Sequence, residues 1–243
     1  MIPKIIHWCW LSDDPIPDKL QHYMESWKKF LPDYEFIHWN FDRFPKGKSI
    51  WVDQAFEAHK YAFAADYIRL YALYNYGGFY LDMDVEVLKS FDTLLNHHLM
   101  LGYDSAGFPE VAAFGAEKEN DWIGLCLEEY NQKTFINKDG HFETEPLPAV
   151  IKRLTAKSQF SFKNVSNLNE YVEGENEICI LPSDFFGPKS YSTGEIHTSK
   201  NTFLIHHFAG SWIPKYERLE RKLWLALGLK PHCLIGKIMK MFK

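Results

Sequence analysis

Residues 77–87 read GGFYLDMDVEV, and the fold turns on how that stretch is read. Acids stand at 82, 84 and 86, with Phe79, Leu81, Met83, Val85 and Val87 between them. The period of two predicts a single strand over 79–87, with Tyr80, Asp82, Asp84 and Glu86 on one side and the apolar set on the other. Like charges that close raise one another's pKa and cost stability. On the wet face of an edge strand such acids would simply be solvated. Here the strand follows a Gly-Gly stop after a long helical stretch, which places it inside a sheet, and its polar side begins with an aromatic residue. Carboxylates kept from water need a cation, and hard oxygen ligands suit Mn²⁺ or Mg²⁺.

Working outward, VDQAFEAHKYAFAADYIRLYALYNY predicts one long helix, opened at Asp53 and stopped by Gly77 and Gly78. Asp66 and Arg69 are three apart and share a face with Ala62, Ala65, Ala72 and Leu73, so the charged pair faces inward. It is either a structural buried ion pair or a pair aimed at a polar ligand, Arg69 donating and Asp66 accepting. KIIHWCW (4–10) is a β-prone first strand, Asp18 caps a helix over 18–31, and EFIHW (35–39) is a second strand. Strand–helix–strand predicts a parallel α/β sheet. Beyond it, 99–103, 178–182 and 202–207 read as short strands and 122–131 and 149–157 as helices, whereas 104–121 shows no clear period. In FLIHHFAGSW (203–212), His206 and His207 end a strand before a Gly-containing turn, where a loop can present an imidazole to a metal. Adjacent strand residues face opposite ways, so only one of the two reaches the site.

The 243 residues are 46% hydrophobic and 24% charged, which suits one large soluble α/β domain. The aromatic share of 16% exceeds what a core needs and points to an aromatic-lined cleft. A net charge of −5 argues against a nucleic-acid partner. The charge is uneven: 214–243 carries +6 and the rest −11. Leu219, Leu223, Leu227, Leu234, Ile238 and Met241 recur in that tail at helical spacing among lysines and arginines. It reads as a basic amphipathic helix that either packs on the body or touches anionic lipid. The expected organisation is therefore a catalytic domain over 1–213 and a helical tail over 214–243. Cys9, Cys126, Cys179 and Cys233 are widely spaced and read as free thiols. With no signal peptide or membrane span in the sequence, the expected location is the cytoplasm, with peripheral contact at the inner face of the cell membrane through the tail.

Three blocks, IPKIIHWCWL, AADYIRLYALYNYGGFYLDMDVEVL and HHFAGSW, resemble the signature blocks of glycosyltransferase family 32, the DXD-containing sugar transferases. They are also similar to the catalytic domain of the large clostridial glucosylating toxins. The combination Asp-x-x-Arg, ten residues, then Tyr-x-Asp-x-Asp is far more specific than a bare DXD. The resemblance implies a GT-A fold with a Rossmann-like, mostly parallel mixed sheet, a nucleotide-sugar donor, a divalent metal (Mn²⁺ or Mg²⁺) and retention of anomeric configuration. By position, Trp10 resembles the aromatic that stacks on the donor base, with Trp8 as the alternative. Asp66 and Arg69 resemble the pair on the donor sugar, and Tyr80 a ribose or sugar contact. Asp82 and Asp84 are the DXD. Ser211 and Trp212 resemble the loop that closes on the diphosphate. His207 resembles the C-terminal metal ligand, with His206 as second choice. Asp104, after the 99–103 strand, is the candidate for contacting sugar or acceptor; its plainer reading is a turn former.

The expected activity is transfer of a hexose, from a UDP-sugar foremost or from GDP-mannose, to a glycan or lipid-linked glycan acceptor in surface or capsular polysaccharide synthesis. A metal-dependent phosphoesterase built on the same aspartates, and a non-catalytic carbohydrate-binding protein, are the competing readings.

Overall fold

A computed structural model describes residues 1–210, 219–220 and 223–224 of the chain. Five strands make the central sheet: β1 (Ile5–Cys9), β2 (Glu35–Trp39), β3 (Gly78–Leu81), β5 (Leu99–Met100) and β6 (Ala113–Ala116), in the order β2-β1-β3-β6-β5. β1 runs parallel to both β2 and β3, and only β6 runs against the rest. This is the mostly parallel mixed α/β sheet that was expected. Between β1 and β2 lies α1 (Asp18–Phe30), and Pro17 rather than Asp18 holds its N-cap position.

The chain leaves β1 toward β2 on one side and returns by way of α2 (Ile50–Glu57) and α3 (Tyr61–Tyr76) to β3 on the other side. The strand order therefore reverses between β1 and β3, and a crevice opens beyond their carboxyl ends, the place where open α/β sheets bind ligands. The single helix expected over 52–76 is two. Ser49, not Asp53, caps α2 by accepting from the Val52 N–H, and the chain breaks at His59, whose φ is +55°. α3 then ends at Gly77, at the amino end of β3. Asp66 and Arg69, in its middle turns, accordingly lie away from that end, toward the carboxyl edge of the sheet.

The strand expected over 79–87 is also two. β3 stops at Leu81, the Val85 N–H bonds the Asp82 carbonyl at 3.0 Å, and β4 (Val85–Val87) joins a different sheet, pairing antiparallel with β9 (Leu204–His206). The acids 82 and 84 thus lie in a turn between two sheets, not along one strand face. α1 anchors β4: the Trp27 indole donates to the Val85 carbonyl at 2.7 Å, and the Val87 N–H to the Ser26 hydroxyl at 2.9 Å.

Gly78 is needed where it stands. Its φ is +103°, and a Cβ there would sit 2.6 Å from the Ile5 carbonyl of β1. His7 fixes the same corner. It is fully buried, it accepts from the Trp39 indole at Nδ1 (3.1 Å), and its Nε2–H then donates to the Gly77 carbonyl at 2.7 Å. Burial pushes its pKa down to about 4, so it is a neutral pin between β2, β1 and the start of β3.

The remaining elements are α4 (Asp121–Asn131), α5 (Leu147–Lys157), β7 (Ser161–Asn164), β8 (Glu177–Ile180) and α6 (Ser183–Phe186). Two apolar cores flank the sheet. Tyr80 of β3 packs in the one that gathers α2, α3 and α4, while Phe79 and Leu81 pack in the other, with Trp27 and β4. Among the described residues, no helix is long and apolar enough to cross a membrane, and Cys9, Cys126 and Cys179 are free thiols. The expectation for the 214–243 tail lies almost wholly outside the described residues.

Candidate active site

The turn after β3 brings Asp82 and Asp84 together, and β9 delivers the third group. In the β4–β9 register Val85 pairs with His206. The imidazole is thereby set against Asp84, with Nε2 3.5 Å from Oδ1. Ligand atoms of Asp82, Asp84 and His206 all lie within 4.8 Å of one another. Two carboxylates and one imidazole at that spacing fit a Mn²⁺- or Mg²⁺-type cation, since hard oxygens dominate and the nitrogen favours manganese. His206, the second choice from sequence, joins the aspartates. The favoured His207 points the other way. Its Nε2 lies 2.8 Å from Glu86 and its ring stacks on Tyr23 at 4.2 Å.

Asp84 also holds the loop that follows β9. Its carbonyl accepts the His207 N–H at 2.9 Å, and its carboxylate accepts the Ala209 N–H. Between them Phe208 sits at φ +53°, a conformation that costs a bulky residue on the order of 1–3 kcal/mol and persists only where neighbours impose it. Burial pushes the Asp84 carboxyl up, but the His206 charge and the hydrogen bonds of His206 and Ala209 outweigh it and hold the pKa at about 2. Burial lowers the tendency of His206 to carry a proton, yet Glu110 and Asp84 override that and raise its pKa well above 6.5. Asp82 is raised by burial against the pull of Arg69.

Arg69 is a structural hub. Its NH2 lies 3.2 Å from Asp66 and 3.3 Å from Asp82, its NH1 donates to the Val111 carbonyl at 2.7 Å, and the guanidinium lies over the Tyr80 ring. With the side chain only 5% exposed and its donors turned to the protein, Arg69 positions Asp82 more directly than it can reach a sugar. Asp66 has its pKa lifted to about 7 by burial, even beside Arg69. The Tyr80 hydroxyl donates to Asp82 at 3.0 Å.

Trp10 follows directly on β1, at the mouth of the crevice, half-buried, with its indole donating to the Asp14 carbonyl at 2.9 Å. Trp8 has one face covered by His38, stacked at 3.9 Å. Asp104 does not join the trio. Its Oδ1 accepts the Ala106 and Phe108 N–H groups at 2.8 Å each, so it shapes a turn. Ser211 and Trp212 lie outside the described residues. Sequence reasoning missed Glu110, a buried carboxylate 3.2 Å from Nδ1 of His206. Its only sequence signal is an acid flanked by Pro and Val in a stretch without a period.

The sequence profile described as "Glycosyltransferase sugar-binding region containing DXD motif" matches residues 17–101. The chain is 35% identical over 100 residues to inositol phosphoceramide mannosyltransferase 3 of Schizosaccharomyces pombe, covering 40% of this chain and 28% of that protein. It therefore spans under a third of that relative's length. It is 33% identical over 226 residues to the uncharacterized glycosyltransferase L373 of Acanthamoeba polyphaga mimivirus, covering 88% of this chain and 85% of that one. Among solved structures it is similar to the PaToxG glycosyltransferase, with a TM-score of 0.47 at 20% identity over 64% of this chain and 69% of that one.

Proposed function

The chain belongs to the family of DXD-containing glycosyltransferases, and from that premise we propose that it is a metal-dependent, retaining hexosyltransferase that takes its sugar from a nucleotide-diphosphate donor. The acceptor in this reading is a glycan or lipid-linked glycan. The observation that carries the proposal is the Asp82–Asp84–His206 cluster at the carboxyl edge of the sheet, beside the β1–β3 crevice. A divalent cation held there would act as a Lewis acid toward the diphosphate, worth several kcal/mol as the leaving group gains charge.

The chain's own residues do the rest. Arg69, fixed by Asp66 and Val111, keeps the Asp82 carboxylate oriented, and the Tyr80 hydroxyl steadies its Oδ1. Trp10 offers a face to the donor base, a contact that by analogy with base–aromatic stacking contributes roughly 1–3 kcal/mol. Retention requires a carboxylate nucleophile or a front-side route. Glu110 and Glu86 are engaged by His206 and His207, and Asp66 by Arg69. These pairings favour front-side attack with oxocarbenium character, in which the departing phosphate receives the acceptor's proton.

A UDP-sugar remains the first donor to try. The mannosyltransferase name of the fungal relative supports trying GDP-mannose beside it. The test is a melting experiment with UDP or GDP and Mn²⁺, followed by a screen of nucleotide sugars for slow hydrolysis. A nucleotide at 100 times its Kd adds about 2.7 kcal/mol, which for a chain of this size raises Tm by roughly 5–10 °C. No shift with either nucleotide, and no hydrolysis of any donor, would refute the reading.

A further inference from the structure

Resting on that reading of the metal centre, we propose that Glu110 is a positioning residue of the site, holding the His206 imidazole so that Nε2 faces the cation and thereby setting the site's affinity for it. Glu110 is 4% exposed, and its two carboxylate oxygens lie 3.2 and 3.3 Å from Nδ1 of His206. With Nδ1 engaged by the carboxylate, Nε2, 3.5 Å from Asp84, is the nitrogen left on the side of the cluster.

The carboxylate is itself fixed. Its Oε1 accepts the Ala112 N–H at 3.0 Å, and the Glu110 N–H donates to the Gly102 carbonyl at 2.8 Å. The Ala112 carbonyl in turn accepts the Asp82 N–H at 2.7 Å. One short stretch, 110–112, thus braces both walls of the cluster: the aspartate through its backbone and the histidine through its ring. The turn shaped by Asp104 returns the chain alongside Gly102, so that Glu110 arrives at the site. An apolar side chain would fill the same space without the cost of burying a charge. What the carboxylate adds is an acceptor aimed at Nδ1.

The test is a Mn²⁺ titration of the full chain without nucleotide, read by the free-ion EPR signal, for wild type, Glu110→Gln, Glu110→Ala and His206→Ala. Melting in EDTA monitors the fold. Loss of such a partner weakens metal affinity about 10- to 100-fold, so Glu110→Gln should fall near the lower figure and Glu110→Ala near the upper, with Glu110→Gln melting as wild type does. A brace that served only the fold would lower Tm and leave Mn²⁺ affinity alone. If Glu110→Ala does not fold, the isosteric Glu110→Gln decides. Wild-type affinity in Glu110→Gln alongside a loss in His206→Ala overturns this inference and leaves the metal site standing. A wild-type chain that takes up no Mn²⁺ overturns both.

Discussion

At the scale of single residues, Asp84 has the most tasks. It faces His206, holds two backbone N–H groups of the loop after β9, and keeps its charge because its pKa sits near 2. Its folded pKa lies below the unfolded value, so the stability it lends is present above about pH 4 and is lost as pH falls through 2. Replacing it with Asn should therefore cost about 2 kcal/mol at neutral pH in EDTA and reduce turnover by more than about 100-fold; calorimetry and a donor hydrolysis assay check the two halves. Arg69→Ala should be worse for the fold, by roughly 3–5 kcal/mol in denaturant titration, because it strands Asp66 and part of Asp82 without a cation. These groups were legible in the sequence because their spacing, two along a turn and three along a helix, already makes them neighbours. Glu110 was not, because its partner lies 96 residues away. The choice between His206 and His207 was closed to sequence for a related reason. Alternation says that one of them faces the site, but only the register of β9 on β4 says which.

At the scale of elements, the alternating acids suggested one strand because the pattern is the same whether or not the chain changes sheets. The Asp82–Val85 turn hides inside a period of two. The helix break at His59 was hidden likewise, since AFEAHKYAFA contains no proline or glycine. The Gly77–Gly78 signal did hold, and for a backbone reason: Gly78→Ala should destabilise the chain by more than about 1 kcal/mol, because the new Cβ meets the Ile5 carbonyl at 2.6 Å. His7 makes the same corner pH-sensitive. Its folded pKa of about 4 is below the unfolded 6.5, so stability is full above the unfolded value and falls as pH drops from 6.5 toward 4. The loss should approach roughly 3 kcal/mol. NMR titration should place the His7 midpoint near 4, and a midpoint near 6.5 would contradict the neutral pin.

At the scale of the whole molecule, strand–helix–strand in the first 40 residues was enough to read an α/β sheet. The antiparallel β6 escaped notice because Ala113–Ala116 is too short and small to look like a strand, though its glycine is what admits the Phe79 ring. The sheet order puts the crevice between β1 and β3, and every element of the cluster reaches it from the same edge. From the charge division of −11 and +6 we propose that the tail contacts anionic membrane rather than packing on the body. Truncation after residue 213 should weaken sedimentation with phosphatidylserine vesicles and spare donor hydrolysis; unchanged sedimentation would remove that role. We propose that the turn between the two sheets exists to hold a dication. Anomalous diffraction from a crystal soaked in Mn²⁺ and UDP tests it most directly. The expected result is one strong peak among the carboxylates of Asp82 and Asp84 and Nε2 of His206. A peak at another place in the chain, or nucleotide bound in the crevice with no ion beside it, would contradict the account.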